Sequence, residues 1–469
     1  MKNQSNFLLA VLCCLFLFLN TRLDAQWQVF SPPQSDTVGA YDVRMAYGND
    51  QVVWCIAMKY DVSPTAYEWL EAPSLYFTKT DDGGATWTSG AIPMGVAPYA
   101  SNICPLSGDV AWASGLDEDF VSYILKTTDG GLTWEPYLEN AFTDPSAYVD
   151  FVHFWDENNG IVVGDPTPSD TEPVPFFEIY RTTDGGATWE RVPSANIPPA
   201  DGEFGEGGNY EVHGDHVWFN TISIVNSLSQ RIYHSADRGQ TWEALETGNQ
   251  FAFWSFSDSL HGVTAYRPVA GQPQVELRYT SDGGDTWTIL PTYNSLNPAS
   301  DYILIPESHY ILTARRVSNI TGPFYTYVSK DLGVSWQQLS SGENVSIFDF
   351  SSPSTGYGAE WQPADHPMRM YKYAGDPLSG LLANQPLNAQ VSVSPNPTAD
   401  AVSVSISAEH PERYTVLLNN ANGDLIHRQN TDKTVQASLR FELTALPAGT
   451  YTFTVSSPAG HLTKTIVKL

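Results

Sequence analysis

From residue 27 onward the chain is built of short runs in which apolar and polar residues alternate, and none is longer than a strand. The runs come in fours. Between residues 148 and 192 the apolar segments Tyr148–Trp155 and Gly160–Gly164 flank a tight turn. A variable loop then leads to Phe176–Arg181, a turn centred on Asp184, and a short last strand, Trp189–Val192. No later stretch sustains a helical period, so the pattern predicts four strands in every ~50 residues, as in a propeller blade.

The turn before the last strand recurs. Strings like Thr182-Thr183-Asp184-Gly185-Gly186-Ala187-Thr188 end at Trp87, Trp134, Trp189, Trp242, Trp287 and Trp336, at steps of 47, 55, 53, 45 and 49 residues. That is one structural unit, used repeatedly. An acid beside paired glycines also occurs in phosphate loops, but those need a longer glycine spacing between a strand and a helix, often with a lysine. Nothing of the kind surrounds Asp184. Its carboxylate is expected to accept N–H groups of its own turn, Gly185 and Gly186 to supply unusual backbone angles, Thr182 and Thr188 to close the turn, and Trp189 to fill the space between blades. The same structural role falls to Asp82, Asp129, Asp237, Asp282 and Asp331.

The motif resembles the Asp box, or BNR repeat, of sialidases, sortilin-type receptors, cellulose- and xyloglucan-cleaving propellers and photosystem II assembly-factor-like proteins. The phrases "FVHFWDENNGIVVGD" and "RIYHSADRGQTW" resemble the last group most. The resemblance implies that each box joins the third and fourth strands of a blade at the outer rim, on the face away from the usual ligand site. Members of the assembly-factor group are implicated in binding and assembly, and for this chain the resemblance implies their scaffold alone.

Six boxes lead to seven blades. After Trp336 come Val345–Phe350, Gly356–Trp361 and Met368–Tyr373, three strands without a box. The missing fourth is supplied by Trp27-Gln28-Val29-Phe30-Ser31-Pro32, which matches the short strand after each box and would remove an exposed sheet edge. The expected fold class is all-β: a seven-bladed propeller over residues 26–375, a linker over 376–390 that lacks alternation, and a small immunoglobulin-like sandwich over 391–469.

The sandwich carries the "SPNPT" start, the "NANGDLI" turn, the "LPAGTYTFTV" hairpin and a basic end, Lys464 to Leu469. Together these resemble the C-terminal sorting domain of the type IX secretion system of Bacteroidetes. The resemblance implies the type IX machinery as a partner, with passage across the outer membrane, removal of the module, and a propeller that is released or held on the cell surface. Residues 1–25 have the plan of a signal peptide: Lys2, an apolar run from Phe7 to Leu19 too short for a comfortable membrane span, and a polar stretch to Ala25. No transmembrane segment is expected in the mature chain.

Composition narrows the partners. With 52 acids against 23 bases the formal charge is −29, which disfavours nucleic acid and anionic membranes. Beyond the signal only Cys55 and Cys104 remain, and either a bridge or two buried thiols would fit. No Asp-x-Asp-x-Asp-Gly loop is present, and neither metal nor cofactor is expected.

In a propeller the ligand site lies at one mouth of the central channel, among loops that lead into first strands and join second to third strands. Polar residues at the starts of inner strands are therefore the candidates: Asp42, Arg44, Asp150, His153, Glu206, Tyr210, Glu211, His213, Arg267 and Glu360, with Asp165 nearby. The longest loops are Tyr60–Pro73, Asp165–Pro175 and Pro193–Asn209, the last with three acids and abundant glycine. A sialidase would call for an Arg-Ile-Pro near the first blade and three clustered arginines, whereas this chain has Tyr41-Asp42-Val43-Arg44-Met45 and few arginines. A glycosidase needs two carboxyls about 5 to 9 Å apart, which Asp42, Asp150, Glu211 and Glu360 could provide. His-Glu-x-x-His and Gly-x-Ser-x-Gly are absent. The expected function is a non-catalytic scaffold that binds an extracellular glycan or protein. The alternative is a carbohydrate-active enzyme using acids at the channel mouth.

Overall fold

In the computed structural model every predicted four-strand unit forms one antiparallel sheet, six of them with strands paired in simple chain order and the seventh closed by the strand from Trp27. The structure describes residues 26–33, 38–59, 75–93, 99–137, 147–223, 230–247, 251–266, 276–290, 301–316, 323–340, 343–361, 367–375 and 389–469, with a few short breaks inside these ranges and two isolated positions, 142 and 378. The signal-peptide stretch, the loop Tyr60–Pro73 and the Asn422-Gly423 turn lie outside the described residues.

Seven sheets of four strands lie between Trp27 and Tyr373. Their first strands are Val38–Ala46, Tyr99–Pro105, Val149–Phe154, Glu203–His213, Phe251–Phe256, Asp301–Leu304 and Ile347–Ser352, blades 1 to 7 in order. Side chains from all seven line one cavity, so these are the inner strands of a ring around a channel. In blade 7 the outermost strand is Trp27–Phe30, antiparallel to Met370–Tyr373 with Trp27 opposite Tyr373. The Trp27 indole stacks on Phe348 and donates to the Thr326 hydroxyl of blade 6 at 3.1 Å.

The core lies between adjacent blades. Trp54 and Phe77 of blade 1 are buried with Ile103, Ala113 and Trp134 of blade 2, and the same exchange recurs between blades 3 and 4. The Asp boxes tie these layers together. In blade 3, Asp184 Oδ1 accepts the Thr182 hydroxyl (2.8 Å) and the Thr188 N–H (2.9 Å), while Oδ2 accepts the Thr188 hydroxyl (2.6 Å). Gly186 sits at φ +86°, and a Cβ there would lie 2.6 Å from Trp112 of blade 2, so glycine serves both the turn and the close approach. A cation on the third strand extends the lacing: Lys126, over the Trp112 ring, donates to the Gly185 carbonyl of blade 3 at 3.1 Å. Arg181 does the same to Arg238 of blade 4 (2.9 Å), and Lys372 to Gly83 of blade 1 (2.7 Å).

Two expectations change. Asp165–Pro175 is largely not a loop, because Gly160–Ser169 and Glu172–Thr182 pair as one long hairpin whose prolines hide the alternation. Much of Pro193–Asn209 is also ordered structure: a short 3-10 turn at Ser194–Asn196, then the inner strand of blade 4 from Glu203. Cys55 and Cys104 are separate buried thiols.

Beyond the propeller, a three-stranded sheet (Ala389–Ser394, Ala401–Glu412, Thr434–Glu442) and a four-stranded one (Thr415–Asn419, Leu425–Asn430, Gly449–Ser457, Gly460–Lys468) share a core of Val404, Phe441, Val416, Phe453 and Ile466. It is a β-sandwich, and Ala389 and Gln390 already belong to its first strand rather than to the linker. The "SPNPT" segment holds the final strand: Asn396 accepts the Val467 N–H (3.0 Å) and donates to the Thr465 carbonyl (3.0 Å). Among the described residues no helix is long and apolar enough to cross a membrane.

Candidate ligand site at the channel mouth

Five inner strands break register where they begin. Single residues are skipped at Tyr41, Ser101, Asp150 and Ala252, and in blade 4 the break spans Glu206 to Asn209. A bulge re-aims the side chain it releases. Tyr41, Ser101 and the four residues of the long break accordingly line one pocket of about 570 Å³, with Phe253, Trp254, Ile347 and Trp361. The inner strands start at this end and reach the box-bearing end last, so the pocket is the mouth opposite the boxes.

The long break forms a strap over the channel. Arg44 of blade 1 donates to the carbonyls of Gly208 (3.0 Å) and Tyr210 (3.4 Å) and lies over the Tyr210 ring at 4.7 Å. Gly208, at φ +77°, runs so close to blade 2 that a Cβ would be 2.2 Å from the Ser101 carbonyl oxygen. Gly205 covers blade 3, where a Cβ would be 2.1 Å from the Asp150 carboxyl. Glycine alone permits both approaches. The pocket below the strap, about 590 Å³, is lined by Arg44, His153, Glu211, His213 and Asp349, and it shares Asp42, Asn209, Trp254 and Ile347 with the mouth.

Most channel acids are occupied by backbone. The inner strand of each sheet is an edge whose free N–H groups need acceptors. Asp42 accepts the Ile103 N–H of blade 2 at 3.1 Å, Asp349 of blade 7 accepts that of Met45 at 2.7 Å, and Glu211 of blade 4 accepts that of Phe256. Asn102 and Ser255 do the same with oxygen acceptors of their own, toward Val152 (3.0 Å) and Leu304 (3.0 Å). Asp42 also holds Arg44 at 2.9 Å. Burial pushes the Asp42 and Asp349 carboxyls above the ordinary range despite Arg44.

The remaining candidates separate by depth. Asp150 is buried beneath Gly205 with Oδ2 unpartnered, and burial followed by repulsion from Asp165 raises it well above a normal aspartate. Burial raises Asp165 to about 7, although it accepts the Gly205 N–H at 2.8 Å. Neither lines the mouth or the channel pocket. His153, pushed by burial and then by Arg44 and Arg238 to about 3, is neutral, with Nε2 unpartnered and Nδ1 3.9 Å from the Cys104 thiol. Burial lifts that thiol to about 12, so the pair holds no thiolate. His213 Nε2 donates to the Phe256 carbonyl (2.8 Å), and the Tyr210 hydroxyl accepts from Asn102 (3.1 Å). Glu360 is fully buried, accepting the Tyr371 hydroxyl (2.7 Å) and the Arg369 N–H (3.0 Å). Arg267 lies outside the described residues. Glu206 alone of the candidate acids stands exposed at the mouth.

The structure thus brings Asp42, Arg44, His153, Glu206, Tyr210, Glu211 and His213 to one channel and sets Asp150 and Glu360 in its walls. Sequence reading missed Tyr41, Phe253, Trp254, Asp349 and Trp361. A polar residue inside the apolar run "IFDF" was a signal for Asp349, whereas the aromatic residues resemble any strand residue until the bulges turn them. The described lining of the two pockets contains one arginine, Arg44, where a carboxylate clamp of the sialidase kind uses three.

Residues 392–469 match the family described as "Secretion system C-terminal sorting domain". That module is a type IX sorting domain, and it directs the chain to the outer cell surface or beyond. No curated protein matches the chain. Similar solved structures include "YCF48 bound to D1 peptide", at 17% identity over 75% of this chain and 97% of that one with a TM-score of 0.47. A Trypanosoma rangeli sialidase in complex with 2,3-difluoro-KDN shares 8% identity over 94% and 88%, TM-score 0.41. The β-propeller domain of the trilobed protease from Pyrococcus furiosus shares 12% over 73% and 97%, TM-score 0.42.

Proposed function

We propose that the propeller is a non-catalytic scaffold, carried out of the cell by its sorting domain, that binds an extracellular glycan or protein at the mouth beside the strap. One observation carries the reading: Tyr41 and Trp361 stand 42% and 45% exposed around a concave pocket, while Asp42, Glu211 and Asp349 spend their oxygens on backbone N–H groups. Exposed aromatic faces above a few polar groups suit recognition, and committed carboxylates suit neither proton transfer nor nucleophilic attack. Trp361→Ala is expected to weaken retention of the protein on its ligand by about tenfold, the loss of one aromatic contact of ~1.4 kcal/mol. A glycan and peptide array probed with wild-type and variant protein, alongside a thermal melt showing the fold intact, measures it. Equal signals from the two proteins would refute the assignment.

A carbohydrate-active enzyme using acids at the channel mouth is the second reading, resting on Glu206, the candidate acid that stands exposed there. It demands turnover of a polysaccharide that Glu206→Gln abolishes, measured as release of reducing ends.

A further inference from the structure

We infer that the mouth takes a basic polypeptide segment, with a lysine or arginine side chain set between Tyr41 and Trp361 and its charge against Glu206. The inference rests on the mouth being the binding site. Its first support is an uncompensated charge. Asp42 is paired with Arg44, but among the described residues the Glu206 carboxylate meets neutral amides, those of Asn209 (3.1 Å) and Asn220 (2.8 Å). Among the described residues, no lysine, arginine or histidine lines the mouth. The field there is negative enough to be felt by Tyr41, whose phenol is raised by burial and then by Asp42 and Glu206.

The second support is the shape of the walls. Exposed tyrosine and tryptophan faces attract a cation through their ring quadrupoles, while the apolar Phe253 and Ile347 suit the methylene stem of a long basic side chain. An amino sugar has the charge but no such stem. The overall charge of −29 steers in the same direction.

The test titrates the full-length protein by calorimetry with five probes: the capped pentapeptides Ac-Gly-Gly-Arg-Gly-Gly-NH2, its lysine and glutamate counterparts, a glucosamine trimer and cellotriose. The arginine or lysine peptide is expected to bind, with affinity falling on added salt and by about tenfold in Glu206→Gln, which keeps the hydrogen-bonding shape and removes the charge. The glutamate peptide and cellotriose are expected not to bind. Binding of cellotriose or the glucosamine trimer at least as tightly as either basic peptide, with sensitivity to Trp361→Ala, overturns the basic-peptide inference and leaves the mouth reading standing. Peptide binding unaffected by both Glu206→Gln and Trp361→Ala defeats both, and so does the absence of binding by any probe.

Discussion

Asp184 and Asp165 are aspartates of the same blade whose surroundings drive them in opposite directions. Asp184 is solvent-exposed but accepts hydroxyl and N–H bonds chiefly from Thr188, which lowers it to about 2. Its stabilising effect is present above its ordinary 3.8 and is lost as pH falls through 2. Asp165 is raised to about 7, so its contribution is complete below 3.8 and is lost as pH rises through 7. Asp150, raised beside it, loses its contribution in the same direction, so the wild type is expected to lose stability between pH 4 and pH 8. Melting curves across that window are expected to fall for the wild type and to fall less steeply in Asp165→Asn, and an unchanged slope would contradict the assignment. The role of Asp184 was legible because its motif recurs six times in the sequence. That of Asp165 was not, since its burial depends on Gly205, forty residues downstream in another blade.

The strap is the element that converts a generic blade into this mouth. Its glycines read as part of a long loop, because a four-residue break in an inner strand leaves no periodic trace; only the close approaches to Ser101 and Asp150 explain them. The strands themselves were legible wherever alternation was undisturbed, and the hairpin around Pro166 and Pro173 was obscured where prolines interrupted it. Gly208→Ala must displace the strap or the Ser101 carbonyl and also strains a left-handed position, so it is expected to cost about 1–3 kcal/mol. Because the strap carries Glu206 and Asn209, ligand affinity at the mouth is expected to fall with it. Denaturant unfolding and the glycan and peptide array measure the two effects, and a variant with wild-type values in both would show that the strap does not shape the site.

At the scale of the whole molecule, the seven-blade count was readable from box spacing plus one unpaired strand, whereas which polar side chains meet across the channel depended on ring closure and could not be read locally. Closure itself is concentrated in few residues. Trp27 is buried among Phe348, Phe350 and Tyr373, and Trp27→Ala is expected to destabilise by about 3–5 kcal/mol, visible as a lowered melting temperature and early proteolysis of the first strand. Retention of the wild-type melt would show that the ring does not depend on that latch. The pairing of Trp27 with Tyr373 also sets an order of arrival. The first of these strands to leave the ribosome is the last to find its partner, so a growing chain can stack blades one after another yet cannot lock until some 340 further residues have emerged. Any product cut short before Tyr373 is left as an unlatched arc with a raw sheet edge, which gives proteases a simple way to tell finished molecules from unfinished ones.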